Sequence, residues 1–129
     1  MADTSKRDDG TRSGRSPVSG EESAEQKLQT VLATLWRQSK KTVKERVAIL
    51  QEAKALWTEN KLDEPARLRA VDSAHKLAGV LGTFGLPRGS ELAREAEGVF
   101  EQATLNDQVK FERLCSTLDE LLRLIEEKP

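Results

Sequence analysis

The sequence predicts an all-α protein, an up-and-down antiparallel helical bundle with a four-helix core plus an additional N-terminal helix. Three observations carry that prediction. Apolar residues recur three and four positions apart through most of the chain, the spacing of a buried helix face. No segment alternates apolar and polar residues with period two or is rich in β-branched residues, so no strand is expected. The composition suits helices: 33% of residues are charged, 4% are aromatic and none is tyrosine. At 129 residues the chain is long enough for one domain with a single modest core.

The elements follow in order. Residues 1–21 hold almost nothing apolar and cannot bury enough surface to offset their ordering entropy, so a disordered tail is expected there and the bundle over 22–129. Ser23 and Gln26 fit a capping box, and Leu28, Val31, Leu32, Leu35 and Trp36 follow at helical spacing, giving a helix over 23–39. A second helix, 41–59, has Val43, Val47, Leu50, Ala53 and Trp57 as its core line, flanked by Ile49 and Leu56. Asn60 is suited to the left-handed conformation that ends a helix. Asp63 is a good N-cap and Pro65 is tolerated in a first turn, so a third helix runs over 64–84 with Ala70, Ala74, Leu77, Ala78 and Leu81 inward. Gly85-Leu86-Pro87 breaks the pattern. The fourth helix, 87–103, turns Leu92, Ala96, Val99, Phe100 and Ala103 inward. Asn106 or Asp107 caps the fifth, 107–127, with Phe111, Leu114, Leu118, Leu121, Leu122 and Ile125 as its stripe. Short connections favour antiparallel neighbours.

Composition excludes several function classes. With 21 basic and 22 acidic residues, nothing favours a nucleic-acid binder acting by bulk charge. One His and one Cys rule out a multi-histidine site and leave no basis for structural zinc, so no metal site is expected. No apolar run approaches the ~18 residues of a membrane span, and the N-terminal stretch lacks the apolar segment expected of a signal peptide. A lone cysteine suits a reducing compartment, and a cytoplasmic protein is expected with no membrane partner. Cys115, Trp36 and Trp57 read as core residues. Glu91, Glu95 and Glu97 read as ordinary charged helix surface.

That leaves His75, the only histidine, followed by Gly79, Gly82 and Gly85. A glycine inside a helix costs roughly 1 kcal/mol relative to alanine. On a helical wheel Leu68, Asp72, His75, Gly79 and Gly82 share a face beside the core face. A bare glycine one turn after the histidine lets a partner surface reach the imidazole, and Lys76 adds a cation. A neutral imidazole is a competent nucleophile near neutral pH. The glycines do not form a phosphate-cradling loop, because neither a preceding strand nor Gly-Lys-Ser/Thr is present, and ATP or NAD binding has no support. On the residues alone, a structural histidine and a reactive one both remain open.

The stretch Ala74-His75-Lys76-Leu77-Ala78-Gly79-Val80-Leu81-Gly82-Thr83-Phe84-Gly85-Leu86 resembles the signature of histidine-containing phosphotransfer (HPt) domains. The downstream Gly89-Ser90-Glu91-Leu92-Ala93-Arg94-Glu95-Ala96-Glu97 resembles the helix that follows it, and Val47-Ala48-Ile49-Leu50-Gln51-Glu52-Ala53 with Leu62-Asp63 is similar to the version found in bacterial multidomain regulators. The resemblance implies a phosphohistidine carrier in a phosphorelay. It would accept a phosphoryl group from the aspartyl phosphate of a response-regulator receiver domain, or from a hybrid histidine kinase, and pass it to another receiver. By motif position His75 is the phosphoacceptor, and Lys76 matches a cationic position in the family that could in part supply the neutralisation which a lysine three residues after the histidine gives many members. Gly79 matches the small residue where the receiver docks, with Leu68 and Gly82 on the same face. Asp72, one turn before His75, is a candidate to orient the ring. Many members carry lysine three residues after the histidine, where this chain has Ala78. The chain itself needs no cofactor, the Mg²⁺ belonging to the receiver, and no kinase motif is present. The alternative is a helical module that docks on a receiver or other signalling protein without carrying phosphate.

Overall fold

The computed structural model describes residues 20–103 and 107–129. The tail expected over 1–21 lies outside the described residues as far as residue 19, and so does Asn106. Four helices are found among the described residues: α1 (Gly20–Thr58), α2 (Glu64–Thr83), α3 (Pro87–Glu101) and α4 (Gln108–Glu127). The described residues divide into two units, the first ending at Trp36 and the second beginning at Arg37.

One expectation needs correction. The two N-terminal helices are a single 39-residue helix, α1, without a break near residue 40. Gln38-Ser39-Lys40-Lys41-Thr42 contains neither Gly nor Pro, so nothing interrupts the backbone ladder there. The helix also starts at Gly20, which puts Ser23 inside it and not at its cap. In the first unit Trp36 is buried, while Leu28, Val31 and Leu35 stay exposed.

The second unit is an up-and-down bundle of residues 37–58 of α1 with α2, α3 and α4. Each turn is specified locally. Asn60 takes φ 57°, and Lys61 N–H donates to the Leu56 carbonyl at 2.7 Å, closing α1. Asp63 Oδ1 accepts from Ala66 N–H at 2.9 Å to open α2. Gly85, at φ 76°, lets Leu86 N–H return to the Leu81 carbonyl at 2.9 Å, ending α2 one turn before α3. Asp107 Oδ1 accepts from Lys110 N–H at 3.0 Å and opens α4.

The core is largely the set the periodicity picks out, although Ala103, Phe111 and Leu122, expected inward, are only half-buried. Val43, Val47, Leu50, Ala53 and Trp57 of α1, Ala70, Ala74, Leu77, Ala78 and Leu81 of α2, Leu92, Ala96, Val99 and Phe100 of α3, and Leu114, Leu118, Leu121 and Ile125 of α4 are all buried. Trp57 meets Phe111 edge-on at 5.5 Å and Phe100 at 6.2 Å, joining α1 to α3 and α4. Cys115 is only half-buried, off the centre of the stripe on which it was expected.

The α2–α3 pair is held in an antiparallel register by polar contacts along its length. Ser90 Oγ donates to the Ala78 carbonyl at 2.8 Å in the buried seam. At the far end Arg67 donates from Nη1 to the Phe100 and Glu101 carbonyls at 3.0 and 3.1 Å, capping the C-terminus of α3. The same guanidinium grips Glu64 at 2.6 and 2.8 Å, and this hydrogen bonding holds the Glu64 carboxyl below its ordinary pKa. Small residues at 70, 74, 78, 89, 93 and 96 allow the two helices to approach closely; a Cβ at Gly89 would lie 3.2 Å from Leu81 Cδ1.

Candidate functional site

The α2–α3 register decides what stands beside His75. The histidine lies on the outer face of α2, its side chain 75% exposed, while the next positions toward the core, Ala74 and Leu77, are buried. Its Nδ1 lies 3.2 Å from Oε2 of Glu97 on α3. A carboxylate only accepts hydrogen bonds, so the ring's proton belongs on Nδ1, donated to Glu97. That leaves the lone pair on Nε2 of an exposed ring. Glu97, whose side chain is 21% exposed, is therefore more than surface charge.

Sequence spacing offered Asp72 as the orienting carboxylate and left Glu97 as helix surface. In the structure Asp72 Oδ2 pairs with Lys76 Nζ at 3.0 Å, one turn along α2, and the carboxylate on the ring is Glu97. The long Lys76 side chain reaches Asp72 as an i,i+4 neighbour of opposite charge. A signal for Glu97 was present in the sequence: His75 and Glu97 stand eleven residues on either side of Leu86, the turn of the α2–α3 hairpin. Equal distance from the turn of an antiparallel pair brings two residues level.

The other expected site residues fall as follows. Leu68 is 52% exposed, two turns before His75. Gly79 and Gly82 are exposed one and two turns after it. A Cβ at Gly79 would meet nothing within 4 Å, and one at Gly82 would make only ordinary contact with Ser90, at 3.6 Å from Oγ. Neither glycine is required by internal packing or by backbone conformation, in contrast to Gly85. Ala78 is buried beneath α3.

Beside this face a shallow groove runs between α1 and α2, lined by Arg46, Lys76, Gly79, Val80, Thr83 and Phe84. Sequence reasoning missed Arg46, one cation among many on a charged helix, which reaches the site only through the packing of α1 on α2. Among the described residues no group of three or more His, Cys, Asp or Glu is placed to hold a metal ion. None of the described helices is long and apolar enough to cross a membrane.

The arrangement is an exposed imidazole, oriented at one nitrogen and open at the other, on a helix face cleared of side chains. Searches of curated proteins and of solved structures returned no match. The family model of the Hpt domain matches residues 22–128, nearly all of the bundle and its site. The chain belongs to the Hpt domain family, the helical domains that perform histidine phosphotransfer in phosphorelays and interact there with receiver domains and histidine kinases.

Proposed function

We propose that His75 is the phosphoacceptor of this domain, taking a phosphoryl group from a receiver aspartate or a hybrid histidine kinase and passing it to another response-regulator receiver. The observation that carries the proposal is the Nδ1 contact with Glu97 at 3.2 Å on a ring that is 75% exposed. With the proton on Nδ1, the Nε2 lone pair is the one available for attack.

The Nε2 lone pair attacks phosphorus in line. The N–P bond forms as the P–O bond to the receiver's aspartate breaks, and the aspartate leaves as carboxylate. Positive charge developing on the imidazole is offset at Nδ1–H by Glu97, which acts as a positioning and charge-balancing group. Phosphoryl transfer needs mainly alignment and charge stabilisation. The receiver supplies the Mg²⁺ and the acidic pocket. Lys76 is the nearest cation in sequence to the reacting ring, and an exposed i,i+4 pair with Asp72 contributes only roughly 0.2–0.5 kcal/mol, so it releases Lys76 readily to phosphoryl oxygens. Leu68, Gly79 and Gly82 form the surface on which the receiver sits. The partners assign the domain to the cytoplasm, where phosphorelay receivers work.

The test uses receiver domains from the same genome, phosphorylated with labelled acetyl phosphate and mixed with the full chain. Acid-labile, alkali-stable label is expected on the wild type and none on His75→Gln. Label persisting on His75→Gln overturns the site, and receiver binding without label on the wild type favours a docking module that carries no phosphate.

A further inference from the structure

The α1–α2 groove contains a cation that the fold leaves without a partner. Arg46 is half-buried on α1, and its guanidinium makes no hydrogen bond or ion pair with any described residue. Two arginines of the bundle, one of them half-buried like Arg46, are engaged within the chain. Arg67 is engaged by Glu64 and two carbonyls, and Arg88 by Glu120 and Glu91. A guanidinium carries five donors, and a half-buried one with none engaged by the described residues is poised for an acceptor from outside.

The rest of the groove says what that acceptor is. Its lining holds two cations, Arg46 and Lys76, and no carboxylate. Its floor is apolar, Val80 and Phe84, and Gly79 leaves the near end open. The Thr83 hydroxyl is spent internally on the Gly79 carbonyl at 3.0 Å. The groove thus fits a protein element that presents an apolar side chain flanked by a carboxylate. A receiver seated with its aspartyl phosphate over Nε2 overlaps the end of the groove, since Gly79 belongs both to the groove and to the face of His75.

We propose that Arg46 is a specificity-determining residue, which pairs with a carboxylate on the docked receiver and selects the receivers that exchange phosphate with His75. This rests on receiver docking at the His75 face. Arg46 stands on a different helix from the reacting ring and acts on docking, with no part in the P–N bond change. Charges at the edge of an interface act mainly on encounter and partner choice.

Transfer from a phosphorylated receiver that labels the wild-type chain is followed against receiver concentration for Arg46→Glu, Arg46→Ala and Arg46→Lys. Arg123→Glu, an exposed reversal on α4, changes net charge by the same amount and serves as the control. Arg46→Glu is expected to raise the half-saturating receiver concentration about tenfold or more, with the plateau rate within about twofold of wild type. Arg46→Ala is expected to show a smaller rise, and Arg46→Lys to restore most of the loss. Added salt should weaken transfer to the wild type more than to Arg46→Ala. An unmoved half-saturation in Arg46→Glu and Arg46→Ala, or an equal rise in Arg123→Glu, overturns the role of Arg46 and leaves His75 as phosphoacceptor. Absence of label on the wild type from every receiver overturns both.

Discussion

The α3–α4 seam and the α1–α2 groove are built from similar residue types and reach opposite ends. In the seam Arg88 donates from Nε and Nη2 to both oxygens of Glu120, at 3.0 and 3.1 Å, and Thr117 donates to Glu95 at 2.9 Å. Charges of both signs meet there, and Arg88 and Thr117 each find an acid of the chain. In the groove Arg46 meets no acid, Lys76 is tied only to its own helix, and Gly79 bares the backbone. Both boundaries leave a cleft, but in one Arg88 meets an acid of the chain and in the other Arg46 does not, on the side of His75. A boundary whose charges are paired within the chain serves the fold; one with an unmet charge among the described residues is where a partner's chemistry is to be sought.

The largest effect that sharpens this division is on stability. Leu81 is fully buried on the inner side of α2, against Gly89. Leu81→Ala is expected to cost about 3 kcal/mol in urea unfolding, while the folded fraction still takes label on His75. Next comes a change on the outer side. Glu97→Ala is expected to slow phosphoryl transfer by roughly 10- to 100-fold at saturating receiver, with little change in the urea midpoint. Glu97→Gln keeps an acceptor oxygen for Nδ1–H and should fall between the two. Equal transfer rates in all three proteins would remove Glu97 from the mechanism.

A smaller effect runs in two directions at once. Gly79 is exposed mid-helix with open space around its missing Cβ, so Gly79→Ala is expected to raise stability by roughly 0.5–1 kcal/mol while lowering transfer from the receiver. Gly82→Ala should do the same more weakly, because its Cβ would touch Ser90 Oγ at 3.6 Å. A gain in stability with unchanged transfer would show that the glycines do not clear a docking face.

These sites also mark what the sequence made legible. Periodicity identified the inward faces of α2, α3 and α4 nearly residue by residue, because core burial repeats with the helix itself. Asp63, Asp107 and Asn60 ended or began helices where their side chains or backbone preferences predict. The break expected near residue 40 failed for a local reason, the absence of any helix breaker between Gln38 and Thr42. Glu97 and Arg46 were not legible on their own helices. Each is one charge on a charged surface, and each reaches the site through the packing of a second helix on α2. A periodic pattern reports which face of a helix is inside, but not which neighbour's charge lies beside an exposed residue.

The smallest predicted effect tests the paired boundary through its ionisation. The hydrogen bonds from Arg88 hold the Glu120 carboxyl below its ordinary value, and those from Arg67 do the same for Glu64. A carboxylate whose folded pKa lies below its unfolded value, about 4.3 for glutamate, binds fewer protons when folded. The stability it contributes is therefore present above the unfolded pKa and lost as pH falls through the lower, folded one. The urea midpoint should accordingly be insensitive to these two groups from neutrality to about pH 5 and decline below it. Both carboxylates lie at the surface, where such pairs contribute little, so the decline assigned to them is shallow. Glu120→Gln should make it shallower still, and Arg88→Met should have the same consequence from the other side of the pair. The α1–α2 groove, with no carboxylate in its lining, supplies no counterpart, so Arg46→Ala should leave the acid limb of the stability curve where it was. An acid limb that moved with Arg46 and not with Glu120 would reverse the assignment of which boundary has its charges paired within the chain.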